Sequence, residues 1–178
     1  MNIGGESLVL RPLVGDDELQ FVRAIGEWPA SEEMAFAPRY AEGDPFVGYV
    51  QRLNAWAAGI DLPEGWVPSV TLFGFVAAEI VGRLQLRLQL NDFLWRIGGQ
   101  IGYVVLPRFR GRGYAKSMLR QGLDRARAAG LQRVLITCDA TNDASRRVIA
   151  SAGGVRIDDD ADGAEAGGKL RYFVSTAT

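Results

Sequence analysis

The residues best suited to chemistry lie in one stretch, Gln100 to Gly130, where a glycine–arginine turn separates a strand pattern from a helix pattern. Ile101, Tyr103 and Val105 alternate with Gly102, Val104 and Leu106, an apolar run suited to burial on both faces. Pro107 has no N–H to donate and ends the ladder. After Arg110-Gly111-Arg112-Gly113-Tyr114-Ala115-Lys116 the apolar spacing lengthens: Ala115, Met118, Leu119, Leu123 and Ala126 share one helical face, and Gly130 is a natural stop. The first N–H groups of a helix lack intrahelical partners and sit at the positive end of its dipole. Strand, turn and helix start together predict a phosphate-binding turn.

The form of the turn narrows the phosphate. The dinucleotide pattern G-x-G-x-x-G and the nucleotide loop G-x-x-x-x-G-K-[ST] are both absent, and R-x-x-G-x-A stands in their place. The competing reading is an ordinary strand-to-helix turn with solvated arginines. A second group follows a strand over Val134 to Asp139. Asn142 and Ser145 open a short helix expected to bury Ala144, Val148 and Ala152 and to stop at Gly153-Gly154. Asn142 is either a plain N-cap or a ligand-binding amide, and the two roles are compatible. Asp139 ends its strand as a general base or as a cap of the next turn. The chain has no histidine, which excludes histidine bases, histidine-assisted nucleophiles and histidine-bearing zinc sites within it.

These groups need a scaffold, and 178 residues at 48% hydrophobic and 23% charged suit a single soluble domain spanning 1–178. Net charge of −1 offers no bulk attraction to nucleic acid or membrane, and no apolar run approaches spanning length. The lone Cys138 suits a reducing compartment, so a cytoplasmic location is expected. Charge is uneven. Arg108 to Arg133 is strongly basic with Asp124 its single acid, whereas Asp158, Asp159, Asp160, Asp162 and Glu165 crowd one hairpin tip. Asp158-x-Asp160-x-Asp162-Gly163 looks like the opening of a calcium loop, but Lys169 stands where its glutamate belongs, so no metal is expected.

Ahead of these stretches, Ser7 to Leu13 reads as a strand. A helix capped by Asp16 or Asp17 carries Leu19, Phe21, Val22 and Ile25 up to Trp28-Pro29. A second helix covers Phe46 to Ala58, with Val47, Val50, Leu53 and Trp56 on one face. Strands follow at Val67–Ala77 and Ile80–Leu90, the latter alternating Arg83, Gln85 and Arg87 with leucines as if one side were wet. A solvated Arg87 is the expectation, with a substrate-facing one the alternative. Asn91 to Gly99 is a loop, and Val155–Asp158 with Leu170–Ser175 forms a closing hairpin.

The phrases GGQIGYVVLP, RGRGYA, LITCDATNDASRRVI with a following GG, and the late RYF resemble a branch of small proteins in the GNAT superfamily of acyl-CoA-dependent N-acyltransferases. The resemblance implies an α/β fold, a twisted mixed sheet of about seven strands flanked by helices, with parallel central strands splayed apart. It implies acetyl-CoA as co-substrate. The backbone of Tyr103, Val104 and Val105 would hold the acyl carbonyl and pantetheine, and Gly111, Arg112, Gly113, Tyr114, Ala115 and Lys116 the pyrophosphate. Asn142 and Ser145 would meet the pantetheine arm. Three positions depart from the pattern: Thr137 where some members carry a glutamate, Ile149 where some carry a tyrosine, and Gln100 where histidine is common. Candidate catalytic groups are therefore Asp139 as base and Tyr172 or Tyr103 as acid. The implied reaction is direct attack by a primary amine of a small molecule or peptide, with a homodimer allowed. A cationic amine, steered by the acidic hairpin, is one expectation for the acceptor. A non-catalytic acyl-CoA sensor is the alternative.

Overall fold

The computed structural model describes residues 7–157 and 169–177. The acidic hairpin tip from Asp158 to Glu165, with its calcium-like opening, lies outside the described residues. The chain runs β1 (Val9–Arg11), α1 (Glu18–Glu27), α2 (Phe46–Ala57), β2 (Ser69–Val76), β3 (Glu79–Arg87) and β4 (Ile101–Val105). It continues through α3 (Tyr114–Ala128), β5 (Arg133–Asp139), α4 (Asp143–Ser151), β6 (Val155–Arg156) and β7 (Lys169–Ser175). Two antiparallel sheets result, ordered β1-β2-β3-β4 and β5-β7-β6. The expected central pair, β4 and β5, forms the seam between them.

Gln100 makes that seam. Its N–H donates to the Leu135 carbonyl at 2.6 Å, and its side-chain Oε1 accepts from the Leu135 N–H at 2.9 Å. Beyond this residue no ladder joins β4 to β5, so the sheets part. That explains why the apolar β4 is only half-buried after Ile101, where burial on both faces was expected.

The early helices cover one face of the first sheet through an aromatic cluster. Phe21 of α1 stacks on Tyr49 of α2 (5.3 Å between centroids) and meets Phe73 of β2 edge-on (6.0 Å). Such pairs contribute about 0.5–1.5 kcal/mol each beyond area burial. The buried faces differ from expectation: Phe21 and Ala24 face inward on α1 while Leu19 and Val22 are exposed. On α2, Phe46 and Tyr49 join Leu53 and Trp56, and Val47 is exposed. Apolar residues outnumber the inward positions, so pattern alone does not choose among them.

Asp17 does not cap α1 with its side chain. It accepts from both Arg11 terminal nitrogens (2.6 and 2.8 Å) and from the Val14 N–H (2.8 Å). Burial raises its pKa, but these donors outweigh burial and hold the carboxyl below its ordinary range. On α4, Ala144 is exposed and Ile149 is the fully buried residue, a shift of the inward face by one position.

The expected wet side of β3 is also corrected. Arg83 is 2% exposed and Gln85 5%, because the segment around Phe36 and the turn before β4 roof that face. Long-range packing decided this, and a period-two pattern cannot report it.

Candidate active site

The glycine–arginine turn folds as a short 3-10 turn at Pro107–Phe109, then Gly111 (φ +76°) and Gly113 (φ +84°), then α3. None of the N–H groups from Gly111 through Lys116 finds an acceptor among the described residues. The first intrahelical bond runs from the Ser117 N–H to the Gly113 carbonyl at 3.1 Å. Left-handed glycines followed by a helix start form a concave run of donors suited to an anion. A Cβ placed on Gly111 or Gly113 would meet nothing within 4 Å, so the space before them is open.

The surrounding arginines divide into two sets. Arg108 pairs with Glu27 (2.7 Å) and Glu79 (3.3 Å), and Arg110 with Glu32 (2.7 Å). These acids come from distant sequence, so the basic stretch is less one-signed than it reads. Arg110 also donates from Nε to the Val105 carbonyl at 3.1 Å, tying the turn to the end of β4. Gly113, Lys116 and Arg120 line a groove of about 530 Å³ that continues past Ser151 and Ala152 of α4 to Ser175–Ala177.

The parted strands supply a second set of free main-chain groups. The Leu106 N–H donates to the Val81 carbonyl and the Arg87 N–H to the Gln100 carbonyl. Antiparallel alternation then turns the N–H and C=O of Gly102 and Val104 toward β3, and those of Tyr103 and Val105 into the gap. On β5 the bond from the Thr176 N–H to the Gln132 carbonyl likewise turns Leu135, Thr137 and Asp139 away from β7. Tyr103 and Thr137 therefore turn main-chain groups that find no partner among the described residues toward one another's side of the gap, while Val104 points its own elsewhere. Arg110 takes the Val105 carbonyl, and the Asn142 N–H takes that of Asp139 at 2.9 Å.

The side chains gather on the same gap. Tyr103 Oη lies 2.8 Å from Ser145 Oγ of α4. Burial pushes the Tyr103 phenol up to about 12, with the Ser145 hydrogen bond opposing and Cys138 adding to the rise. Burial likewise pushes up the Cys138 thiol, with the neighbouring Asp139 charge adding to the rise. Asn142 caps α4, its Oδ1 accepting from the Ser145 N–H at 3.0 Å. Asp139 sits beside the gap with Oδ1 on Lys169 Nζ at 2.5 Å, and its side chain is half-exposed. Tyr172 lies one strand further out, on β7 opposite Ile136, half-buried against the core. Ile149, where the resemblance sets a tyrosine in some members, is wholly in the core. Sequence reasoning treated Gln100 only as a departure and Cys138 only as a redox clue. No local signal marks the role of Gln100, since its bonds reach Leu135, far along the chain.

Among the described residues no group of three or more His, Cys, Asp or Glu side chains could hold a metal. Among them, too, no helix is long and apolar enough to cross a membrane.

A family model for the acetyltransferase (GNAT) domain matches residues 7–155. No curated protein matches the chain. Similar solved structures include Mycobacterium smegmatis RimJ in complex with CoA-disulfide, at 22% identity and TM-score 0.64 over 94% of this chain and 81% of that one. The GNAT domain of S. lividans PAT aligns at 19% identity and TM-score 0.61, covering 93% and 89%. Salmonella typhimurium yncA with acetyl-CoA aligns at 12% and 0.59, covering 96% and 94%. At these identities the structural likeness speaks for the fold.

Proposed function

The chain belongs to the GNAT acetyltransferase family, and from that premise we propose that it is an acetyl-CoA-dependent N-acetyltransferase acting on a primary amine by direct attack. One observation carries the reading: an unpaired β4 edge leads straight into the run of free N–H groups from Gly111 to Lys116. A pyrophosphate fits the concave donors. An extended chain of amides fits the gap between Tyr103 and Thr137, where it would complete the main-chain bonds that the parted strands leave unmade. Asn142 Nδ2, exposed at the mouth, is a further donor for that arm. The groove along Lys116 and Arg120 suits the nucleotide end. A single domain spans the chain in this reading.

The bound thioester supplies an activated acetyl group. The protein supplies orientation, worth several kcal/mol when the reacting atoms are held close. The N–H groups of Tyr103 and Val105 are the donors available where charge develops on a carbonyl oxygen. Asp139, or a water on the carboxylate oxygen that Lys169 leaves free, takes the proton of the amine. Tyr103 Oη–H, protonated throughout the neutral range, gives the proton to a departing thiolate. Tyr172, with β5 between it and β4, is the less direct donor.

The test is CoA binding by calorimetry, and release of free thiol from acetyl-CoA with a panel of amines. Absence of CoA binding overturns the proposal. Binding without turnover of any amine leaves the acyl-CoA sensor. Two substitutions probe the roles. Tyr103→Phe is expected to lower kcat about a hundredfold with CoA affinity nearly unchanged. Asn142→Asp keeps the helix cap, since aspartate caps as well as asparagine, but an ionised carboxylate cannot donate. An unchanged Tm with CoA binding about three- to tenfold weaker is expected; equal affinity would leave Asn142 a cap only.

A further inference from the structure

Two arginines stand on the inward face of β3 without a counter-ion among the described residues. Arg83 donates from Nε to the Phe36 carbonyl (3.0 Å) and from Nη2 to the Ala35 carbonyl (2.6 Å). Arg87 donates from Nη1 to the Gly98 and Gly99 carbonyls (3.1 and 3.2 Å) and from Nη2 to Gln85 Oε1 (3.2 Å). Among the described residues neither guanidinium meets a carboxylate. Burial depresses the pKa of both. Taking a cation out of water costs several kcal/mol unless a charge or full hydrogen bonding compensates.

The two differ in what they face. Arg83 is fully enclosed and serves the loop that roofs the sheet. Arg87 lines a pocket of about 190 Å³ with Ser69, Gln85, Trp66, Phe93 and Leu94, where no described acid enters. A guanidinium has five N–H donors, and the three bonds above leave Nε–H and one Nη2–H. Nε and Nη2 share one edge of the planar guanidinium, the edge that can meet the two oxygens of a carboxylate. The pocket also adjoins the gap. A Cβ on Gly102, the residue before Tyr103, would lie 3.6 Å from Arg87 Nη1, and Gly99 borders Thr137 on β5.

We propose that this pocket is the acceptor site and that Arg87 receives a carboxylate carried by the amine acceptor, making it a small amino-acid-like molecule with an apolar body against Trp66 and Phe93. The transfer itself rests on the function proposed above; the anion site does not. A cationic acceptor gains nothing in this pocket, because its described lining offers a positive charge and no negative one.

The experiment compares phenylalanine, phenylalaninamide, phenethylamine and spermidine as acceptors with acetyl-CoA, following thiol release. Phenylalanine is expected to exceed its amide in kcat/KM by about tenfold to a hundredfold. Arg87→Gln narrows that ratio to within about threefold. Should Arg87→Gln fail to fold, Ser69→Asp sets a competing carboxylate in the pocket and narrows it likewise. A second readout needs no turnover: phenylacetate raises the Tm of the unmodified protein and phenylacetamide does not, and Ser69→Asp removes the shift. Preference for the amide or for spermidine, or no Tm shift with phenylacetate, overturns the anion site. Loss of CoA binding in the unmodified protein would overturn the transferase reading alone, with the phenylacetate result still deciding the pocket.

Discussion

Gly113→Val is expected to weaken CoA binding at least a hundredfold while the protein stays folded. Gly113 sits at φ +84°, where a residue with a Cβ loses about 1–2 kcal/mol. A β-branched side chain loses more, because its two γ-carbons crowd the backbone. The second effect is spatial. The side chain would enter open space, where a Cβ meets no protein atom within 4 Å, and in the proposed function that space is where a pyrophosphate would approach the N–H groups. Because nothing in the core is touched, Met118 and Leu119 remain seated and α3 persists from Ser117 onward. Titration calorimetry with CoA, beside a thermal melt, separates the two effects. Gly113→Ala should fall between valine and glycine. Unchanged affinity in folded Gly113→Val would remove the phosphate assignment from this turn.

Gly99→Ala is expected to destabilise the fold by about 3 kcal/mol or more, the largest stability loss predicted here. Gly99 adopts φ +62° and ψ 177°, a region that costs any other residue about 1–3 kcal/mol. Its added Cβ would lie 3.0 Å from the Leu135 carbonyl oxygen and 3.1 Å from the Thr137 nitrogen. Both are main-chain atoms of β5, so relief means moving the strand, and the Gln100–Leu135 bonds that join the two sheets would lengthen with it. Urea unfolding followed by circular dichroism measures the loss. CoA affinity should fall in the same variant below its unfolding range, since the width of the gap is set at this junction. A loss under 1 kcal/mol would show that the seam tolerates displacement.

Much of the scaffold was legible. The glycine–arginine turn, the helix after it and the Asn142 cap follow from local rules: glycine where φ must be positive, apolar residues every three or four positions, and an amide before a helix start. Less legible was the direction each element faces. Leu19, Val22 and Val47 are apolar and exposed, whereas Arg83 and Gln85 are polar and buried. Burial depends on what packs above an element, and for β3 that roof comes from residues near 36 and 98. For Arg87 the alternation favours a solvated strand residue over a substrate-facing one, and packing sets it instead in the lining of a pocket.

The sequence by itself determined the chemistry that is local in space: the donors of the Gly111–Lys116 turn, the capped α4, and the absence of histidine that leaves carboxylates, tyrosine, lysine, cysteine or water for any proton transfer. Tertiary structure alone decided the rest. It parted β4 from β5 through Gln100, brought the Tyr103 hydroxyl to Ser145 across 42 positions of chain, tied Asp139 to Lys169, and neutralised Arg108 and Arg110 with acids from the early helix and loops. The physical reason is one of range. Backbone conformation is fixed by a residue and its near neighbours, whereas charge pairing, burial and proton affinity are fixed by whatever the fold sets beside a group, however far away in sequence.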